Sequence, residues 1–381
     1  MRTPGRKAIG TWSGGRYLRF GEAIEPERLR ALLRPGGGID TVLTADAYGQ
    51  GEADELLGRA LEGVPRDDYC LVGAVGHDFY EGERQGPRGF PRFTDPALRG
   101  PGEYGGYLRM AAERSLERLA ADRFDLLLVH NPDRIGYESE EVWTAMAALR
   151  DDGVAGAIGV APGPANGFTL DLIRCFERFG EAIDWAMVIL NPFEPWPGEL
   201  CLDPAAEHGV RMITRVVDYG GLFWDDVTPE TELPEGDHRR FRPDGWIERG
   251  LEKLDLLRPI CERTGLTPMQ LACQWNLSHP AVSSVVPTLI QERGGGREIE
   301  DKRAELAALP EEQRLGDDDV AEIREVGDNT GTMALKGASP EHSGDERPDR
   351  WSLSEELIEA GRRWRVDPER DLRRSAALPR G

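Results

Sequence analysis

A chain of 381 residues, 39% hydrophobic and 30% charged, has ordinary globular composition and is long enough for one large domain or two smaller ones. Its 69 acidic against 47 basic residues give a formal net charge of -22, a surface that repels nucleic-acid phosphates and anionic membranes and argues against both as partners. The opening "MRTPGRKAIGTW" lacks a signal-peptide core, no apolar run reaches the ~20 residues of a membrane span, and five scattered cysteines without CxxC spacing suit a reducing compartment; the expectation is a soluble, cytoplasmic protein.

Along the chain, short apolar runs alternate with helical patterns. The strand-like runs are "KAIGTW", "IDTVLTA", "YCLVGAV", "FDLLLVH", "VAGAIGV", "WAMVIL", "VRMITRVV" and "VSSVVPT". Between them, helical spacing covers Pro26–Leu33, Glu52–Glu62, Tyr107–Ala121, Glu140–Asp151, Thr169–Phe179, Gly245–Thr264 and Glu298–Leu309. Several runs are nearly continuous in Val, Ile and Leu, as strands buried on both faces are. Eight of them interleaved with helices predict an α/β fold, a (β/α)8 TIM barrel over residues 1–325. A doubly wound open sheet is the alternative, but the first run leads into "SGGRYLRFG", without the GxGxxG spacing that such a sheet usually carries.

Two regions break the rhythm. Residues 76–106, rich in Gly, Pro and aromatics, follow the third strand and are expected over the C-terminal face as a lid or substrate wall. Residues 326–381 form a C-terminal extension whose helix-like "LSEELIEAGRRWRV" should pack on the barrel; its "NTGTMALKGA" offers Asn329 or Lys336 to the mouth.

The C-terminal rim of a barrel collects the residues just past the strand ends. These are Asp46 and Tyr48 after the second strand, His77 and Asp78 after the third, His130 after the fourth, Asn191 after the sixth, and Asp218 and Tyr219 after the seventh. They make a polar ring of possible acids, bases and substrate contacts. The alternative for Asp46 and Asp218 is capping of the adjoining loops. Histidines from neighbouring strands also admit a metal, though no ligand spacing such as HxxxH appears, so none is expected.

Over roughly Lys7 to Pro287 the chain resembles the aldo-keto reductase family. The resemblance is carried by "IGTW", by the turn and helix "TADAYGQGEADELLGRAL", by "FDLLLVHNPD", by "LRDDGVAGAIGV" and by "GLTPMQLACQWNLSHPAVSSVVPT". It implies a barrel that reduces aldehydes and ketones with NADPH, using a Tyr acid, a Lys and an Asp that tune it, and a His that orients the carbonyl. The tyrosine falls on Tyr48 and the histidine on His130. The aspartate position holds Leu43 and the lysine position Ala74.

A phenol with pKa near 10 needs a nearby cation to give and retake a proton near neutral pH. Without the lysine, Tyr48 is expected to stay protonated and act as a hydrogen-bond donor. The resemblance also implies a Ser-Asn pair and a Gln that hold the nicotinamide amide. Ala161 and Pro162 stand at the pair and Met187 at the Gln, and none offers a side-chain hydrogen bond.

Cofactor phosphates are expected to meet Arg293, Arg297 and Lys302, in "QERGGGREIEDKR" after the last strand. A plain surface charge cluster is the alternative. Three readings of function follow: a divergent aldo-keto reductase-like oxidoreductase on a carbonyl or sugar-like small molecule, with NADP(H) in doubt; a non-redox lyase, dehydratase or isomerase; and a ligand-binding pseudoenzyme. For chemistry the candidates are Tyr48, His130, His77 and Asp78; for substrate contact, Asp46, Asn191, Asp218 and Tyr219.

Overall fold

Every strand-like run becomes a strand. In the computed structural model, which describes residues 1–85, 89–163, 168–330 and 353–372, these are β1 (Ala8–Gly10), β2 (Thr41–Leu43), β3 (Cys70–Val75), β4 (Phe124–His130), β5 (Ala155–Ala161), β6 (Trp185–Ile189), β7 (Arg211–Arg215) and β8 (Val282–Val286). They lie in sequence order in one sheet, each parallel to the next. A parallel bridge between Lys7 and Val285, with the Val285 amide donating to the Arg6 carbonyl at 2.9 Å, brings β8 back to β1. That closure makes the sheet a (β/α)8 barrel and removes the doubly wound alternative.

The helices are α1 (Pro26–Leu33), α2 (Glu52–Leu61), α3 (Tyr104–Leu119), α4 (Arg134–Glu138), α5 (Glu140–Asp151), α6 (Thr169–Phe179), α7 (Leu202–Glu207), α8 (Trp246–Thr264), α9 (Pro268–Leu277), α10 (Ile299–Ala307), α11 (Asp317–Gly327) and α12 (Glu355–Trp364). Helix α3 starts earlier than the Tyr107 expected from sequence. Gly105 and Gly106 weaken local propensity there, but Tyr104 and Tyr107 both pack on Phe93, at 5.7 and 5.3 Å between ring centroids, and tertiary contact sets the first turn. Neither α7 nor α11 follows from apolar periodicity: α7 is six residues long, and α11 is rich in carboxylates.

Alternation along the strands sorts side chains between two cores. On β4, Leu127 and Val129 pack outward with the helices, while Leu126 and Leu128 join an inner cluster with Leu43, Val72, Ala74, Trp185, Met187, Ile213 and Val286. Because this cluster is large and apolar, the barrel interior is a packed floor beneath the mouth. Leu43 and Ala74 are part of that floor, 2% and 9% exposed.

Loops after β1, β7 and β8 are sewn together over the C-terminal face by a buried ion triad. Arg239, 1% exposed, bonds Asp237 at 2.9 Å and Glu292 at 2.7 Å, and Asp237 also accepts from the Gly21 amide at 2.8 Å. In the tail, α12 packs on α6, where Glu177 accepts from Arg363 at 2.6 and 2.8 Å and from Trp364 at 2.9 Å. Asn329 exchanges two 3.0 Å hydrogen bonds with the Trp196 backbone, away from the role expected of it at the mouth. Lys336 lies outside the described residues. No helix among the described residues is long and apolar enough to cross a membrane.

Candidate active site

Tyr48 follows the extended run after β2, where the Thr44 and Asp46 amides still pair with the Val72 and Ala74 carbonyls. The chain then turns through Gly49, Gln50 and Gly51, all at positive φ, before α2 begins. Glycine accepts that conformation without strain, so the tight turn lifts Tyr48 clear of the helix start. Its phenol packs at the edge of the inner cluster. Burial raises the phenol's pKa, and the nearby Arg215 charge only partly opposes this. Tyr48 is therefore a protonated donor.

His130 ends β4 on the inner face, two residues beyond Leu128. Its ring meets Tyr48 edge-on at 5.6 Å and His77 at 5.0 Å. It is 8% exposed, and its Nδ1 is buried with no hydrogen-bond partner among the described residues. Burial, then the charges of Arg92 and Arg215, lower its pKa to about 3. The imidazole is neutral and a weak base.

The loop after β3 brings His77 to this ring. Gly76 makes the approach possible, since a Cβ there would stand 2.6 Å from the His130 carbonyl oxygen. An antiparallel bridge between His77 and Arg92 folds the long loop back over the mouth, as the wall expected of residues 76–106; residues 86–88 within it lie outside the described residues. Arg92 Nη1 lies 2.9 Å from His77 Nδ1, and the Asn131 amide lies 3.0 Å from His77 Nε2. Asn131 Nδ2 only donates, so Nε2 accepts and the ring proton sits on Nδ1, which also faces the Phe90 carbonyl at 3.2 Å. Burial first, then Arg92, keep His77 neutral.

Arg215 ends β7. Ile213 belongs to the inner cluster, so alternation puts Arg215 on the inner face as well. Its guanidinium reaches the Pro162 carbonyl after β5, at 2.8 Å. Arg92, Asn131 and Arg215 were not among the sequence candidates. Period two along "RMITR" marks Arg215, and adjacency to His130 marks Asn131, whereas nothing local marks Arg92.

Other expected residues serve the scaffold. Asp78 is fully buried, pairs with Arg99 at 2.5 Å, and accepts the Tyr80 and Glu81 amides at 3.0 and 2.9 Å. Asp46 follows the inward Ala45 and so points to the opposite side, near Asp54 and Arg118. Neither of its oxygens has a hydrogen-bond partner among the described residues, and burial, then the neighbouring Asp54 charge, push its pKa well above the usual carboxylate value. Asn191 closes its own turn by accepting the Phe193 and Glu194 amides, at 3.0 and 2.9 Å. Asp218 accepts the Thr288 and Gly221 amides at 2.7 and 3.0 Å, the capping alternative. Tyr219 sits beneath the Arg242 guanidinium, 4.3 Å from its ring, and against Phe193 and Trp246.

The cations after β8 divide. Lys302 is fully buried, 2.6 Å from Asp226 and 2.7 Å from the Ile290 carbonyl. Arg297 bonds the Trp224 carbonyl at 3.0 Å and Glu305 at 2.6 Å. Arg293 is exposed. The anionic partner expected for Lys302 is thus supplied from within the protein. Ala161 and Met187, 4% and 5% exposed, are apolar members of the inner cluster.

The barrel and its mouth match a known family. The model of the Aldo/keto reductase family covers residues 8–328, and this chain belongs to that family. A 6-dehydroglucose reductase from Agrobacterium fabrum is 26% identical over 295 residues, spanning 74% of this chain and 83% of the relative. A probable voltage-gated potassium channel subunit beta from Arabidopsis thaliana is 24% identical over 301 residues, spanning 74% and 84%. Among solved structures, the glycerol dehydrogenase from Gluconobacter oxydans gives a TM-score of 0.64 at 21% identity, covering 91% of this chain and 97% of its own. An aldo/keto reductase from Klebsiella pneumoniae in complex with NADP and acetate gives 0.57 at 20% identity, covering 84% and 90%. At such identities the structural likeness establishes the fold.

Proposed function

We propose that this chain is a divergent aldo-keto reductase-like protein that acts on a carbonyl or sugar-like small molecule at the barrel mouth. The observation that carries this reading is the pairing of Tyr48 with a neutral His130 beside Arg215. The Tyr48 hydroxyl donates to the reacting oxygen and His130 orients it. The Arg215 charge favours negative charge developing there. A group whose conjugate acid has pKa about 3 takes up protons poorly near neutrality, so His130 is an orienting group and not a base.

The family's redox chemistry uses a nicotinamide dinucleotide, which supplies hydride when bound. The described residues do not fit it in the family's way. Ala161, Pro162 and Met187 give the amide no side-chain partner, and Lys302 and Arg297 already hold carboxylates. The apolar pair Leu43 and Ala74 at the aspartate and lysine positions points the same way. These features favour a second reading, a non-redox lyase, dehydratase or isomerase on the same barrel.

Fluorescence titration of the purified chain with NADPH separates the two. Micromolar binding together with NADPH-dependent reduction of a carbonyl panel supports the oxidoreductase. No binding at millimolar NADPH removes it and leaves cofactor-free chemistry at Tyr48 and His130.

A further inference from the structure

Guanidinium groups buried in this protein are matched by carboxylates. Arg99 holds Asp78 and Glu81, Arg239 holds Asp237 and Glu292, and Arg242 holds Glu194 at 2.7 Å. Such matching is expected, because a desolvated charge is costly without a counter-charge. Arg215, at the mouth, departs from this pattern, as Arg303 does on α10, where three backbone carbonyls hold it. Arg215 forms no ion pair among the described residues, although the chain carries 69 acidic side chains. Among the described residues its one hydrogen bond goes to a neutral acceptor, the Pro162 carbonyl.

The position is equally specific. Alternation from Ile213 aims the side chain inward at the C-terminal end of β7, and its bond to Pro162 draws the guanidinium across the end of β6 toward β5. It is partly open to the mouth. There it shares the pocket with two neutral groups, the Tyr48 phenol and the His130 ring, whose Nδ1 is buried with no hydrogen-bond partner among the described residues. Among the described residues no acidic side chain pairs with this guanidinium, and its charge is felt at both Tyr48 and His130.

We propose that Arg215 is the anion-recognition group of this pocket, and that the ligand is a small oxygenated molecule bearing a carboxylate, such as a sugar acid. A planar guanidinium matches a carboxylate through two parallel N–H···O bonds. Arg92, the other guanidinium near His130, is engaged by His77 and by the Asn131 and Phe90 carbonyls. Among the described residues Arg215 is thus the cation left for a ligand's single negative charge, which favours a carboxylate over a phosphate dianion. The anion completes the pairing that the fold omits and fixes the molecule's orientation, leaving its hydroxyl or carbonyl oxygen to Tyr48 and His130. This assignment names the substrate class for the site proposed above. It is tested by binding alone, so a chain without turnover still answers it.

Calorimetric titration of the full chain compares D-glucuronate, D-glucose and D-glucose 6-phosphate at neutral pH. Expected is an affinity for D-glucuronate at least about tenfold above that for D-glucose, with this preference falling by about tenfold or more in Arg215→Gln and recovering in part in Arg215→Lys. The unsubstituted chain decides first, whatever the variants' folding. Equal affinity for glucuronate and glucose, preference for the phosphate, or no glucuronate binding at about 50 mM would overturn the assignment. So would an Arg215→Gln variant with an unchanged melting temperature that binds glucuronate normally. Neutral sugars reduced with NADPH but no carboxylate preference would sink the anion assignment while sparing the proposed function.

Discussion

The phenol of Tyr48 meets the imidazole of His130 edge-on, with ring centroids 5.6 Å apart and planes at 90°. Among the described residues the phenol hydroxyl has no hydrogen-bond partner, so it is available to a ligand. Tyr48→Phe is expected to lower turnover on a responsive substrate by about 10²-fold or more. Because the ring's packing is kept, unfolding free energy should move by no more than about 0.5 kcal/mol. Steady-state rates set beside urea unfolding curves check this, and unchanged turnover would remove Tyr48 from the chemistry.

The pair Leu43 and Ala74 makes a second expectation. Both sit in the inner apolar floor, so Leu43→Asp or Ala74→Lys alone buries an unpartnered charge and should cost about 3–5 kcal/mol. Together the two charges offset each other, and the double variant should be more stable than the sum of the singles by about 1–3 kcal/mol. A double-mutant cycle in urea measures the coupling. Strict additivity would mean the two positions do not face each other.

How far the sequence carried this picture depends on the kind of signal. The eight strands were legible because buried parallel strands write continuous Val, Ile and Leu runs, and Tyr48 and His130 were legible because each directly follows or ends such a run. Arg215 was within reach of period-two reasoning, since Ile213 points inward. Asp78, Asn191 and Asp218 show the opposite case. Placed at strand ends, they read as site residues, but their oxygens bond backbone amides of their own loops, and Asp218 also that of Thr288 after β8. Sequence position does not say which way a side chain turns once a loop leaves the strand. Arg92 is farther still from its signal, because a long loop must fold back before it reaches His77.

Lys302 tests the reading of the cations after β8. Its ammonium and Asp226 are 2.6 Å apart and almost fully buried. Lys302→Met strands a buried carboxylate and should cost about 3–5 kcal/mol, much of it restored when Asp226→Leu is added. A phosphate ligand would behave otherwise. If Lys302→Met weakened NADPH binding while leaving the unfolding free energy unchanged, the residue would belong to a cofactor seat.

Asp171 gives a pH signature independent of the pocket. It lies in the first turn of α6, 2% exposed, with Oδ2 unpartnered. Burial, then the neighbouring Glu138 charge, raise its pKa from 3.8 to about 7. The folded chain therefore holds this proton across a window where the unfolded chain has released it. Stability from Asp171 is complete below about pH 3.8 and is lost as pH rises toward and through 7. Asp171→Asn keeps the shape and discards the titration, so it should be more stable than the parent above pH 7, by on the order of 2–4 kcal/mol, with the advantage vanishing near pH 4. The comparison must be made as a difference between the two chains. His130, with its pKa pushed down to about 3, contributes the opposite slope between its folded and unfolded values, losing stability as pH falls below 6.5, and that term cancels in the difference. Urea unfolding of both chains from pH 4 to 8 supplies the test. A stability difference that stays constant over that range would show that Asp171 keeps an ordinary carboxylate pKa.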